Sequence, residues 1–198
     1  MPLRAGLGGG SSDAAAVLRI LNRRGLVAHG RLAILARDLG GDVPFFLEDG
    51  PICWAGGVGE RLRPHAGPRP GTHVVLVNPG LQVSTAAAFG RLGLTTGPGS
   101  SISLFAEPSF SPSLVPPIGH NDLEEAAMGL HPSLAGVKAI IASVSPAPDS
   151  VGLSGSGPTF WALYGGQGLA ARAARSLARP GWWVAVAPLL PEDPPEAE

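Results

Sequence analysis

The residues of this chain best suited to chemistry stand at its start. Pro2-Leu3-Arg4-Ala5-Gly6-Leu7-Gly8-Gly9-Gly10-Ser11-Ser12-Asp13 runs directly into Ala14-Ala15-Ala16. Glycines admit positive φ and let backbone N–H groups come close to a ligand. The first turn of a following helix adds N–H donors that have no intrahelical partner, together with the positive end of the macrodipole. A glycine cluster opening into a helix is therefore suited to cradling phosphate. It is not a Walker A loop, because no Gly-Lys-Ser/Thr follows, and Gly6–Gly10 does not align with the dinucleotide fingerprint GxGxxG. A flexible Gly/Ser linker is the plain alternative. A linker does not usually lead straight into an amphipathic helix, so the phosphate reading is preferred.

Two further stretches carry candidate groups. Leu39-Gly40-Gly41-Asp42-Val43-Pro44-Phe45-Phe46 places one carboxylate between a helix end and an apolar segment. Read by itself, Gly-Gly-Asp is a turn. Gly152-Leu153-Ser154-Gly155-Ser156-Gly157-Pro158-Thr159 is a second Gly/Ser loop, leading into the apolar run Phe160–Tyr164. Alone, it would pass for a hairpin turn.

Together, and in this order, the three stretches resemble the motifs of the GHMP kinases. The opening wording, Gly-Leu-Gly-Gly-Gly-Ser-Ser-Asp, and the later Asn121-Asp122-Leu123-Glu124 are most similar to the branch that phosphorylates 4-diphosphocytidyl-2-C-methyl-D-erythritol in the non-mevalonate isoprenoid route. The resemblance implies ATP as co-substrate, Mg²⁺, and a small-molecule alcohol as acceptor, with no nucleic acid and no membrane partner. It implies that Pro2, Leu3, Arg4, Ala5, Gly6, Leu7, Gly8, Gly9, Gly10, Ser11 and Ser12 form the ATP loop, with Ser12 near the metal. Gly155, Ser156 and Gly157 would close over the transferring phosphoryl group, and Asp42 would be the catalytic carboxylate. Phosphoryl transfer to an alcohol calls for a carboxylate that orients the hydroxyl and accepts its proton. Another GHMP small-molecule kinase, or a catalytically dead nucleotide-binding fragment, stands as the alternative.

These groups need elements to hold them. Ala14, Val17, Leu18 and Leu21 recur at helical spacing and Gly25 is a stop, with the helix start expected within Ser11–Asp13. A second helix is expected over 31–39, with Leu32, Leu35, Ala36 and Leu39 on one face. Ile52–Glu60 reads as a short strand and turn. There Cys53 is a small buried hydrophobe, Trp54 a core residue, and Glu60 a turn or strand-surface residue. His73–Val77 is a buried strand ending at Asn78-Pro79-Gly80. Val83-Ser84-Thr85 opens a short helix capped by Ser84 or Thr85. Asn121 caps another, with acids in its first turn, and this motif reads as structural. A break is expected at His131-Pro132 and a further helix up to about Ala142. A helix over 169–177 and a strand over 182–186 complete a β-α-β ending.

Composition sets the outer limits. The chain has 198 residues, 44% of them hydrophobic, enough to bury a core. A net charge of −1 supplies no field for nucleic acid or membrane. A single cysteine excludes an internal disulfide framework and suits a reducing cytoplasm. His65 and His73 have no metal-ligand spacing around them.

The fold class that results is α+β. Residues 1–70 are expected to form a partial GHMP N-terminal domain, a ribosomal-protein-like α/β sandwich. Residues 71–187 are expected to form a ferredoxin-like second domain, and 188–198 a disordered tail. Residues 65–71 read as a linker and 94–119 as a long loop. The family's leading strands, with an essential lysine, have no counterpart in this sequence, whose sole lysine is Lys138. A fragment, a late start or a remnant would each explain this, and the missing strands predict an exposed sheet edge with poor stability or dependence on a partner.

Overall fold

The computed structural model describes residues 1–48, 53–56, 59, 61–64, 69–92 and 121–189. Two units emerge: Met1–Leu7 with Gly71–Leu189, and Gly8–Pro70. The opening loop thus changes unit between Leu7 and Gly8.

In the larger unit a four-stranded sheet is built from β3 (His73–Asn78), β4 (Ser150–Leu153), β5 (Phe160–Tyr164) and β6 (Trp183–Pro188). The strand order is β4-β5-β3-β6 and every neighbouring pair is antiparallel. Val75 faces Ala162 on β5 and Val186 on β6, which makes β3 the centre of the sheet. Because β5 and β6 both run against β3, they are parallel to each other. Helix α6 (Gln167–Leu177) joins them, making a split β-α-β. Three more helices, α3 (Thr85–Arg91), α4 (Asp122–Leu130) and α5 (Ser133–Ala142), precede β4 in the chain. This strand order and connectivity are ferredoxin-like, as expected.

Alternation along β5 turns Phe160, Ala162 and Tyr164 into the core. There they pack with Val75, Val77, Leu134, Ile141 and Leu177, each essentially inaccessible to water. Asn78 ends β3 with a buried side chain: its Nδ2 donates to Thr159 Oγ1 (2.9 Å) and its Oδ1 accepts from Gly80 N (2.9 Å).

The smaller unit holds α1 (Gly9–Arg23), a 3-10 turn (His29–Arg31), α2 (Leu32–Leu39) and a second 3-10 turn (Phe45–Leu47). An antiparallel hairpin of β1 (Cys53–Gly56) and β2 (Arg61–Pro64) follows. Ala15, Leu18, Ala36 and Val43 form its core, with Phe46 and Leu47 packed alongside. Among the described residues, no helix is long and apolar enough to cross a membrane.

Several expectations need correction. Helix α1 starts at Gly9 with Gly8 as N-cap, not within Ser11–Asp13, because Gly8 adopts φ 66° and turns the chain there. Its buried face runs through Ala15 and Leu18; Val17 is 54% exposed. Leu39 of α2 is 61% exposed rather than part of an apolar face. Cys53 is half-buried. The tail does not begin at Pro188: Pro188 pairs with His73, and Leu189 N donates to Thr72 O (3.0 Å). The expectations for Glu60, the Trp54 side chain, most of the 65–71 linker, the 94–119 loop and the tail beyond Leu189 lie outside the described residues.

Candidate functional site

The first residues of the opening loop and the second Gly/Ser loop, 148 positions apart in sequence, meet in the larger unit. Ser154 Oγ donates to Gly6 O at 2.8 Å. Gly6 has φ 73°, and a Cβ placed on it would stand 2.6 Å from Ser154 O and 2.8 Å from Gly157 O. Only glycine permits both that dihedral and that approach. Ala5 is buried at 4% exposure and anchors the strand of chain, while Leu3, at 94%, projects into solvent.

A cavity of about 530 Å³ opens beside this junction. Arg4, Gly6, Ser156 and Gly157 line one part of it, and Gln82, Val83, Ser84 and Thr85 the rest. Among the described residues, Arg4 is the only charged one lining it and no carboxylate does. Arg4 is also, among the described residues, the one non-glycine at positive φ (53°). Strain of this kind clusters at ligand clamps.

The Val83-Ser84-Thr85 stretch shows how local preference places the hydroxyls. Ser84 is the N-cap of α3, accepting from Ala87 N at 3.3 Å. That frees Thr85 from capping, and its Oγ1 lies 2.9 Å from Ser156 Oγ. From the sequence, either Ser84 or Thr85 could have been the cap. The missed role of Thr85 had one signal, the adjacency of two hydroxyls of which a helix start needs one.

Asn121 caps α4 as expected, with Oδ1 accepting from Leu123 N at 3.0 Å. Its Nδ2 also donates to Leu153 O (3.0 Å) and Gly155 O (2.8 Å). Glu124 Oε2 accepts from Leu153 N (3.0 Å), and its Oε1 pairs with Lys138. Gly155 therefore sits on the Asn121 side of its loop, whereas Ser156 and Gly157 line the cavity.

In the smaller unit α1 begins without a side-chain cap and with no acid in its first turn. Ser12 N is already engaged by Gly8 O (2.9 Å). Helix geometry leaves the amides of Gly9, Gly10 and Ser11 without intrahelical acceptors, the arrangement that suits an anion. Gly8 lies against the Phe46 ring, 2.8 Å from where its Cβ would be. Asp42 is exposed in the turn after α2.

Among the described residues, two groups are displaced from their ordinary pKa, and neither lines the cavity. Burial, and then the charge of Glu48, push the Cys53 thiol up. Burial, and then Asp149, push the Tyr164 phenol up. Among the described residues, no group of three His, Cys, Asp or Glu stands together as a metal site.

A glycine loop entering a helix, a second Gly/Ser loop against it and a ferredoxin-like sheet are the marks of a GHMP kinase. The family model "GHMP kinases N terminal domain" matches residues 1–50. A 4-diphosphocytidyl-2-C-methyl-D-erythritol kinase of Syntrophus aciditrophicus (strain SB) is 40% identical over 187 residues, covering 93% of this chain and 65% of that protein. One from Cereibacter sphaeroides (strain ATCC 17029 / ATH 2.4.9) is 38% identical over 194 residues, covering 96% and 68%. A crystal structure of 4-(cytidine 5'-diphospho)-2C-methyl-D-erythritol kinase superposes with a TM-score of 0.68 at 37% identity, covering 94% of this chain and 67% of that one. The chain belongs to the GHMP kinases, in the group formed by these 4-diphosphocytidyl-2-C-methyl-D-erythritol kinases. It spans about two thirds of the curated relatives' length, 65% of the Syntrophus protein.

Proposed function

We propose that this chain carries the ATP-dependent phosphorylation of the 2-hydroxyl of 4-diphosphocytidyl-2-C-methyl-D-erythritol. The observation that carries the reading is the meeting of Gly6 with Ser154 and Gly157 beside a cavity whose described lining has an arginine and hydroxyls but no carboxylate. Such a lining suits phosphate oxygens, which need donors and repel acids. The 38% identity to a relative of that activity, over 96% of this chain, supports the acceptor.

In this reading the Arg4 guanidinium and the Ser156 and Gly157 segment hold phosphate oxygens. The Asp42 carboxylate receives the proton of the acceptor hydroxyl as its oxygen bonds to the γ-phosphorus. The bond from the γ-phosphorus to the bridging oxygen breaks, and ADP leaves. The role of Asp42 rests on the family resemblance. Mg²⁺ keeps most of its ligands as water and phosphate oxygens, so a single hydroxyl such as that of Ser12 suits it. When bound, it neutralises charge on the phosphates. A reducing cytoplasmic setting fits the single, half-buried thiol.

The test is transfer of labelled γ-phosphate from ATP to 4-diphosphocytidyl-2-C-methyl-D-erythritol by this chain, with Asp42→Ala beside it. Transfer that the substitution lowers by at least about 100-fold supports both the acceptor and the carboxylate's part as base. Transfer unaffected by Asp42→Ala removes Asp42 from the mechanism. ATP binding without transfer reduces the reading to a nucleotide-binding chain, and absence of both overturns it.

A further inference from the structure

We infer that the first turn of α4 is the positioning device of the second Gly/Ser loop, with Asn121 as its central residue and Glu124 as its support. The inference rests on the reading above that this loop lines a phosphate subsite.

Among the described residues, strand β4 lies at the edge of the sheet, with β5 on its only paired side. An edge residue presents an amide and a carbonyl with no strand to receive them. At Leu153, the last residue of β4, both are taken by side chains of α4: Glu124 accepts from its N, and Asn121 donates to its O. The α4 start thus stands in for a missing neighbour strand where the loop departs. Asn121 then spans to Gly155 O, two residues further on, holding the turn at Gly155, whose φ is 54°. The remaining loop bonds are local: Ser154 N donates to Thr159 O and Gly157 N to Ser154 O. Without Asn121, nothing outside the loop holds the Gly155 carbonyl among the described bonds.

The consequence reaches both loops. Ser154, adjacent to both gripped carbonyls, donates to Gly6 O, and Ser156, one residue past Gly155, meets Thr85. A shift of Gly155 therefore moves the two contacts that define the cavity wall. All three functional atoms of Asn121 are used, its Oδ1 in the cap and both Nδ2 hydrogens on loop carbonyls. A cap alone would be satisfied by Asp, Ser or Thr. The two donors are what only the amide supplies.

The experiment compares the full chain with Asn121→Asp and Asn121→Ser. Both keep a cap acceptor and lose both donors; the serine adds no charge. Amide hydrogen exchange is read at Ser154 and Gly157, both hydrogen-bonded within the loop, and at β3 and α5 as internal references. We expect exchange at the loop amides to accelerate at least about tenfold in both variants while the references stay within twofold. ATP binding should weaken about tenfold, with a smaller change in KM for the alcohol. A purely structural cap would raise exchange across the unit evenly or leave it unchanged, and either result overturns the inference. If wild type binds no ATP, the reading of function falls, and the exchange ratio still decides the positioning role.

Discussion

Replacing Gly6 by alanine tests whether the junction of the two loops sets the cavity. An L-residue at φ 73° costs about 1–2 kcal/mol. The new methyl would also stand 2.6 Å from Ser154 O, a backbone atom that must retreat to about 3.4 Å for ordinary contact. Forcing that overlap into a fixed frame would cost about 1–3 kcal/mol. The loops have a less costly way out, which is to part and give up the Ser154–Gly6 hydrogen bond, worth about 1 kcal/mol. Separation wins, and the total is about 2–3 kcal/mol, equivalent to a fall of roughly 5–10 °C in the melting midpoint for a chain of this size. The ligand suffers more than the fold, because the cavity wall has moved: ATP affinity should drop at least about tenfold.

Gly10→Ala is the control. Its Cβ would meet nothing within 4 Å, and it lies inside α1, where alanine is favoured over glycine by up to about 1 kcal/mol. Its midpoint should hold or rise. Thermal melts and isothermal titration with ATP read both variants. The reasoning fails if Gly6→Ala melts and binds like wild type, or if Gly10→Ala is destabilised as much.

Two more outcomes follow from single residues. Arg4→Gly should raise stability by about 1 kcal/mol by relieving its positive φ. The same change should weaken ATP binding roughly tenfold and flatten its salt dependence, since the cavity loses the one charge its described lining carries. A lower melting midpoint, or unchanged affinity, would refute it. Tyr164→Phe should stabilise by about 1–2 kcal/mol, because the hydroxyl is buried without a partner among the described residues. Burial, helped by Asp149, raises the phenol's pKa in the folded chain, so the folded state holds that proton more tightly than the unfolded one. The stabilisation this linkage provides is complete below about pH 10 and is lost as pH rises through the folded value. Urea melts between pH 8 and 11 should show a decline in wild type that is shallower in Tyr164→Phe. Equal slopes would contradict the assignment. The phenol is the chain's only tyrosine, so its absorbance reports the titration directly.

Much of the chain was legible in sequence because the deciding forces are local. Glycine's dihedral freedom marked both loops, short apolar runs marked β3 and β5, and Ser84 and Asn121 announced helix starts with side chains that cap. The family's motifs added the α+β class and an expectation for Asp42, whose part in the chemistry awaits the transfer assay. What failed was also physical. The strong cap formers Ser11 to Asp13 lost to Gly8, because a left-handed turn packed on the Phe46 ring placed the helix start earlier. Val17 fell outside the buried stripe, since which side of α1 faces α2 depends on the partner helix and not on α1's own period. Partners distant in sequence were invisible altogether. Gly6 meets Ser154 across 148 residues, Thr85 meets Ser156 across 71, and Asn121 reaches Gly155 across 34. Each of these residues has a sufficient local reason to be what it is, as a turn, a helix residue or a cap. Only the folded sheet, with β4 at its edge and α4 beside Leu153, decides which of their remaining donors and acceptors meet.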